Sequence, residues 1–245
     1  METVRIFGIP VAKMNKRETV EYLTRAVEQK KPHHVVTINP IMIMAALEHP
    51  AHMAVMKRAE LVIPDGAGVV WAAGYVGNPV KERVPGIEVM GELLAVAEQR
   101  GWRVYLVGAA PEVIAAAVER MRAVHPKLQI VGYRDGYFGE AEDEAVVEDI
   151  RRAAPDLLFV GRSAATQEPW IDKYKERLSV PVMMGVGGSF DVWSGRIRRA
   201  PAIFRKLHLE WLHRLLREPS RFPRMLALPK FALKVIREKE NVQKP

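Results

Sequence analysis

The chain has 245 residues, 49% of them hydrophobic, enough for one sizeable core or for a core with an appendage. It contains no cysteine, which excludes a disulfide framework and thiolate chemistry, and no apolar run approaches the ~18 residues of a spanning helix. The net charge of +8 is uneven: residues 196–245 hold 14 Lys and Arg against four Glu, while the remainder holds 23 basic and 25 acidic groups.

Met1 to Pro10 shows a strand-like alternation and lacks the basic-then-apolar pattern of a signal peptide, so a cytoplasmic address is the default expectation. Strand-like runs follow at Val4–Phe7, His34–Ile38, Leu61–Ile63, Arg103–Val107, Gln129–Tyr133, Leu157–Val160 and Val182–Val186. Between them Asn15 and Glu18 read as a capping box opening a helix to about Lys30. Pro111 opens another to about Val124, and Glu140 to Ala153 forms a third, stopped by Pro155. Strand and helix in alternation predict an α/β fold: a Rossmann-like, mainly parallel sheet with helices on both faces. This core is expected over residues 1–195.

Beyond Gly195 the pattern changes. Ala200–Arg217 and Ser220–Lys239 read as two helices, interrupted near Pro219, Pro223 and Pro229, and residues 196–245 are expected to form a basic helical C-terminal appendage. Trp211, Leu215, Phe222, Leu226 and Phe231 stand among the charges, which suits a membrane interface better than nucleic acid. The bland alternative is that these apolar groups pack on the core and the charges are merely solvated.

In such sheets ligands bind beyond the carboxyl ends of the strands. Three strand ends are polar there. Thr37 and Asn39 close the second run. Asp65, followed by Gly66, closes the third, and Gly185-Val186-Gly187-Gly188-Ser189-Phe190-Asp191 closes the last. Glycines let backbone N–H groups approach phosphate oxygens, though each signal alone is more often a turn. Neither the Rossmann dinucleotide fingerprint nor the P-loop is present, and the histidines show no zinc spacing, His49 and His52 reading as a helix surface.

Thr37-Ile38-Asn39-Pro40, Pro64-Asp65-Gly66, Arg83-Val84-Pro85-Gly86, Gln167-Glu168 with Trp170, the Gly185–Asp191 stretch, Arg199-Ala200-Pro201, Leu209-Glu210-Trp211 and Glu218-Pro219-Ser220-Arg221 occur in matching order and spacing over residues 3–236. On them the chain resembles the TagA/WecG/CpsF glycosyltransferases, and within that family the branch that makes the linkage unit of wall teichoic acid. The resemblance implies inverting transfer of N-acetylmannosamine from a uridine diphosphate donor to N-acetylglucosamine on undecaprenyl diphosphate. It implies Asp65 as general base, with Thr37 a sugar contact beside it. By the same resemblance Asn39, Gln167, Gly187, Gly188 and Asp191 would line the nucleotide-sugar site, Tyr137 would stack on uracil, and Arg83, Arg214, Arg221 and Arg224 would face diphosphate groups. No cofactor and no metal are expected, since no Asp-x-Asp motif occurs. The implied place of work is the inner face of the cell membrane, reached peripherally through the basic appendage, with no nucleic-acid partner. A homo-oligomer is left open.

The roles make chemical sense. A sugar hydroxyl needs a base to take its proton, and guanidinium groups stabilise a departing diphosphate. One departure stands out. Family members carry Gly-x-Pro-Lys/Arg just before the glutamine, where this chain reads Arg162-Ser163-Ala164-Ala165-Thr166. Two alternatives therefore stay open: a related transferase using the uronic acid form of the sugar or a glucose-type donor, and a catalytically impaired nucleotide-sugar-binding protein.

Overall fold

A computed structural model describes residues 1–207 and 209–244, the side chains of Arg205, Lys206 and Arg214 lying outside the described residues. The chain begins with strands β1 (Thr3–Ile6) and β2 (Ile9–Ala12), then helix α1 (Lys16–Glu28), β3 (His33–Ile38), α2 (Pro40–Glu48), α3 (Pro50–Arg58), β4 (Leu61–Pro64) and α4 (Ala67–Tyr75). The middle holds α5 (Gly86–Arg100), β5 (Arg103–Gly108), α6 (Pro111–Val124), β6 (Gln129–Arg134), α7 (Glu140–Ala153), β7 (Leu157–Gly161), α8 (Ala164–Leu178), β8 (Val182–Gly185) and α9 (Ser189–Trp193). Short helices follow: α10 (Ala202–Lys206), α11 (Glu210–Arg217), a 3-10 turn (Pro219–Arg221), α12 (Phe222–Met225), α13 (Ala227–Arg237) and α14 (Lys239–Val242).

Six strands form one parallel sheet in the order β4-β3-β8-β7-β5-β6. From β3 the chain moves outward to one edge at β4, and from β5 outward to the other at β6. It returns through β7 and β8 to the middle. The direction of travel reverses between β7 and β5, and such a reversal opens a crevice at the carboxyl edge. The α/β class expected from alternation is therefore correct, and the expected capping box is present. Asn15 Oδ1 accepts from the Glu18 N–H at 2.8 Å, and the Glu18 carboxylate accepts from the Asn15 N–H at 2.9 Å.

The first strand departs from expectation. It stands outside the main sheet and pairs antiparallel with β2, a strand that Pro10 conceals because proline weakens any strand reading. The turn between them places Phe7 at φ 50 and Gly8 at φ 80, the two positive values of a tight hairpin. The two long C-terminal helices also come apart. Pro229 falls in the first turn of α13, where its missing N–H has no partner to lose, so the helix restarts in front of it. The first predicted helix divides into α10 and α11 around residues 207–209, and His208 lies outside the described residues.

Each sheet face is covered by apolar side chains. One carries α1, α5 and α6, with Leu23, Met90, Leu93 and Ile114 meeting Val35, Ile63, Leu106 and Phe159. The other face carries two clusters. Trp170, Ile171 and Val147 from α7 and α8 cover β5, β7 and β8. Over β3 and β4, the hairpin residues Ile6 and Ile9 meet Ile43 of α2, Val69 of α4, and Phe231 and Val235 of α13. The tail thus splits its apolar residues: Phe231 is 1% exposed, whereas Trp211, Phe222 and Leu226 face outward. Phe231→Ala is expected to lower stability by about 3–5 kcal/mol, the usual range for a buried phenylalanine left as a cavity, read from the denaturant midpoint at unchanged slope.

Candidate active site

The carboxyl ends of β3, β4 and β8 meet at one cavity of about 470 Å³. Thr37, one residue from the end of β3, donates its hydroxyl to the Gly185 carbonyl at 3.3 Å and so joins the ends of β3 and β8. Asn39 caps α2, its Oδ1 accepting from the Ile41 and Met42 N–H groups at 3.0 and 3.1 Å. That cap lets Pro40 start a helix directly behind the strand. Asp65 follows β4 and is pinned by its own N–H, which donates to the Ile38 carbonyl at 3.0 Å.

Asp65 lines this cavity, and Arg83 wraps it. Arg83 Nε donates to the Asp65 carbonyl at 2.5 Å, and Nη2 lies 3.4 Å from Oδ1. The other arm, Nη1, lies 2.7 Å from Glu210 Oε2 on α11. Burial works against the Arg83 charge, but the two carboxylates outweigh it and hold its pKa above the ordinary value. The pairs continue outward. Arg199 Nε lies 3.8 Å from Glu210 Oε1, Arg199 Nη2 bonds Glu88 at 2.5 Å, and Lys16 bonds Glu88 at 3.1 Å. Charges therefore alternate from α1 to Asp65.

A second cavity of about 310 Å³ lies at the crevice beyond β5 and β7, lined by Gly136, Tyr137, Arg162, Ser163, Thr166 and Asp191. Gly187 and Gly188 line both cavities, so the two adjoin across that loop. Tyr137 is 75% exposed, with an open ring beside this second space. The Arg162 guanidinium lies 4.2 Å from the Phe138 ring centroid and donates to the Phe138 carbonyl at 2.9 Å. Burial lowers its pKa, Asp143 opposing the shift.

The expected residues thus fall into groups. Thr37, Asn39, Asp65, Arg83, Gln167 and Arg221 line the larger cavity, Tyr137 and Asp191 the smaller, and Gly187 and Gly188 both. Gln167 is only 2% exposed, and its amide is engaged with neighbouring groups. Arg221 pairs with Glu218 at 2.5 Å. Arg224 is exposed and lines neither cavity, and the Arg214 side chain lies outside the described residues. Glu210 was not assigned a role from sequence, although it is the lone acidic residue between 196 and 217. Arg162, Ser163 and Thr166 show that the divergent loop faces the second cavity.

A third cavity, about 770 Å³, lies away from the strand ends, between α5, α6 and α9, with Lys16, Glu88 and Arg199 in its wall. It is an open groove whose charges pair with each other, and it lacks the convergent strand-end groups of the first two. Among the described residues no three His, Asp or Glu converge as metal ligands. His49 is exposed between α2 and α3 and meets His52 edge-on.

A carboxylate beside a guanidinium in a glycine-lined cavity has the chemistry to take a proton from a hydroxyl and to stabilise negative charge. Residues 4–245 match the glycosyl transferase WecG/TagA/CpsF family, and the chain belongs to it. It is similar to the N-acetylglucosaminyldiphosphoundecaprenol N-acetyl-beta-D-mannosaminyltransferase of Bacillus spizizenii, 38% identical over 91% of this chain and 86% of that protein. The protein of the same name from Bacillus subtilis is 37% identical over 98% of this chain and 94% of its own length. That of Staphylococcus aureus is 38% identical over 86% and 82%.

The Glu88 carboxyl is disfavoured in its charged form by burial, but its bonds to Arg199 and Lys16 prevail and hold its pKa below the ordinary value. A lowered folded-state pKa adds stability that is present above the unfolded value and lost as pH falls through the folded one. Stability is therefore expected to fall below about pH 4.3, the ordinary glutamate value. Glu88→Gln should flatten that part of the stability profile in urea titrations at successive pH values.

Proposed function

We propose that the chain transfers N-acetylmannosamine from a uridine diphosphate carrier to the N-acetylglucosamine of a polyprenyl-diphosphate-linked acceptor, the linkage-unit step of wall teichoic acid synthesis. The observation that supports this most is that Asp65 lines a cavity that adjoins a second one across Gly187 and Gly188. Two adjoining spaces suit a two-part donor. Uracil takes the outer one against Tyr137, the diphosphate crosses the glycine loop, and the sugar lies toward Thr37 and Asp65.

In the transfer the acceptor hydroxyl gives its proton to Asp65 and its oxygen attacks the anomeric carbon. The bond from that carbon to the β-phosphate oxygen breaks, and the electron pair leaves with uridine diphosphate, inverting the configuration. Arg83 and Arg221 stand in the same cavity to receive the added negative charge. Glu210 already draws on Arg83, so its guanidinium meets the diphosphate only by sharing its donors between the two. The names of these relatives support both the sugar and the acceptor, and the uridine nucleotide rests on the family resemblance.

Residues 196–245 are the second part of the proposal, as an appendage that closes the cavity and meets an anionic membrane. Glu210, Trp211, Arg221 and Met225 supply its wall of the cavity. Trp211, Phe222, Leu226, Leu233 and Ile236 are exposed among basic residues, a composition that binds membrane interfaces. Among the described residues no helix is long and apolar enough to cross a membrane.

Transfer is tested with a panel of uridine diphosphate sugars and a short-chain lipid-diphosphate N-acetylglucosamine acceptor, following release of uridine diphosphate. Asp65→Asn is expected to lower kcat by about 10²–10⁴-fold, the usual worth of a general base, with donor affinity retained. Activity within a few-fold of the parent removes Asp65 from that role. A second assay uses sedimentation with anionic liposomes. Phe222→Ser with Leu226→Ser is expected to reduce binding several-fold while turnover on the soluble acceptor stays unchanged. Undiminished sedimentation rejects the docking face.

A further inference from the structure

Three polar side chains lie buried in line beneath the site: His34 of β3 and Glu168 and Gln167 of α8, 0%, 1% and 2% exposed. His34 Nε2 lies 2.7 Å from Glu168 Oε2. The other carboxylate oxygen, Oε1, accepts from Gln167 Nε2 at 2.7 Å. Gln167 Oε1 then accepts two backbone N–H groups, from Gly187 at 3.1 Å and from Arg162 at 3.2 Å. The line begins inside the fold and ends in the two loops that line the proposed donor cavities.

Stability alone does not account for it. A buried ionisable pair is often no better than apolar residues of similar volume, because desolvation offsets the attraction. What such a line does supply is a fixed geometry. The loops need it, because Gly187 sits at φ 49, in a left-handed conformation that nothing in a glycine itself selects. The fit is close at the other end as well. A Cβ on Gly185 would lie 2.3 Å from Glu168 Oε1 and 2.5 Å from Gln167 Nε2, so only glycine at the end of β8 admits the line. At the far end the backbone N–H of His34 donates to Glu60 at 2.8 Å and anchors the strand, while the buried ring Nδ1 has no partner among the described residues.

We infer that His34, Glu168 and Gln167 are positioning residues that preset the Arg162 and Gly187 loops for the diphosphate of a nucleotide sugar. His34 and Glu168 act through Gln167 and do not touch the ligand. Gln167, whose amide oxygen is taken by the loops, acts chiefly on them. The ligand part of this inference rests on the proposed function, and the line itself does not.

The test uses the full chain with Glu168→Gln, which keeps the volume but turns one acceptor into a donor and so breaks one link. Two readouts are taken. Without ligand, backbone amide exchange over residues 159–164 and 185–190 should rise at least tenfold, because a preset state at roughly one-tenth occupancy leaves the open, exchanging state in the majority, while exchange in β5 stays as it was. In turnover, KM for the sugar nucleotide should rise by a similar factor of about ten, with kcat and acceptor KM within about twofold, because apparent affinity scales with the competent fraction. His34→Leu removes the far end without contact to either loop and should act in the same direction, serving also if Glu168→Gln does not fold. His34→Gln, which keeps a donor toward Glu168, should restore the parental values. Unchanged loop exchange, or a fall in kcat at constant donor KM, overturns the inference. If the parent turns over no sugar nucleotide, the proposed function fails, and loop exchange alone still decides the positioning role.

Discussion

The guanidinium of Arg83 lies between two carboxylates that come from opposite ends of the chain, Asp65 behind β4 and Glu210 at the start of α11. That one group ties the floor of the larger cavity to its C-terminal wall. Because it is largely enclosed, each contact is stronger than an exposed pair, and losing one carboxylate would leave the other to take up the charge. The alternating sequence Lys16, Glu88, Arg199, Glu210, Arg83, Asp65 extends the same logic to the surface. No member can move without exposing a neighbour of like need. Through Glu210 this electrostatic order ties α11 to the cavity wall.

Much of the fold was legible because its signals are local. Continuous apolar runs such as Leu157–Val160 mark strands covered on both faces, and Pro111 and Asn15 mark helix starts within a few residues. The polar residues after β3, β4 and β8 could be picked out for the same reason, since the parallel sheet sends them all to one edge. The hairpin was not legible as a pair, because Pro10 breaks the alternation and the pairing partner lies across a two-residue turn. The role of Glu210 was hidden differently. Its meaning depends on Arg83 and Arg199, and no spacing rule links residues so far apart. Arg224 carries the opposite lesson: a basic residue in a matching segment points to solvent because α12 is a single turn whose outer face it occupies. Gln167 was legible as part of a motif, but its partners, two backbone N–H groups and a buried carboxylate, exist only in the folded chain.

The basic tail divides its apolar residues between the core and the surface. Phe231 and Val235 pack on α2, α4 and the hairpin, as ordinary core residues do, while Phe222 and Leu226 turn outward one or two turns earlier. The packed half gives the outward half a rigid platform. An outward surface held this way keeps its orientation relative to Asp65, which a flexible tail could not.

The cluster that joins the hairpin to α13 contains Val4 and Val242, and the Phe7 N–H donates to the Val242 carbonyl at 2.7 Å. During synthesis, therefore, Ile6, Ile9, Ile43 and Val69 are made early and remain uncovered until α13 has left the ribosome. The opposite sheet face needs nothing beyond α9 and can assemble first. The nascent chain passes through a stage with a sheet in place and one sticky flank, the kind of intermediate that chaperones bind and that aggregates when they are scarce. A stop codon after α9 ends at Trp193 but before residue 231 would freeze the protein at that stage.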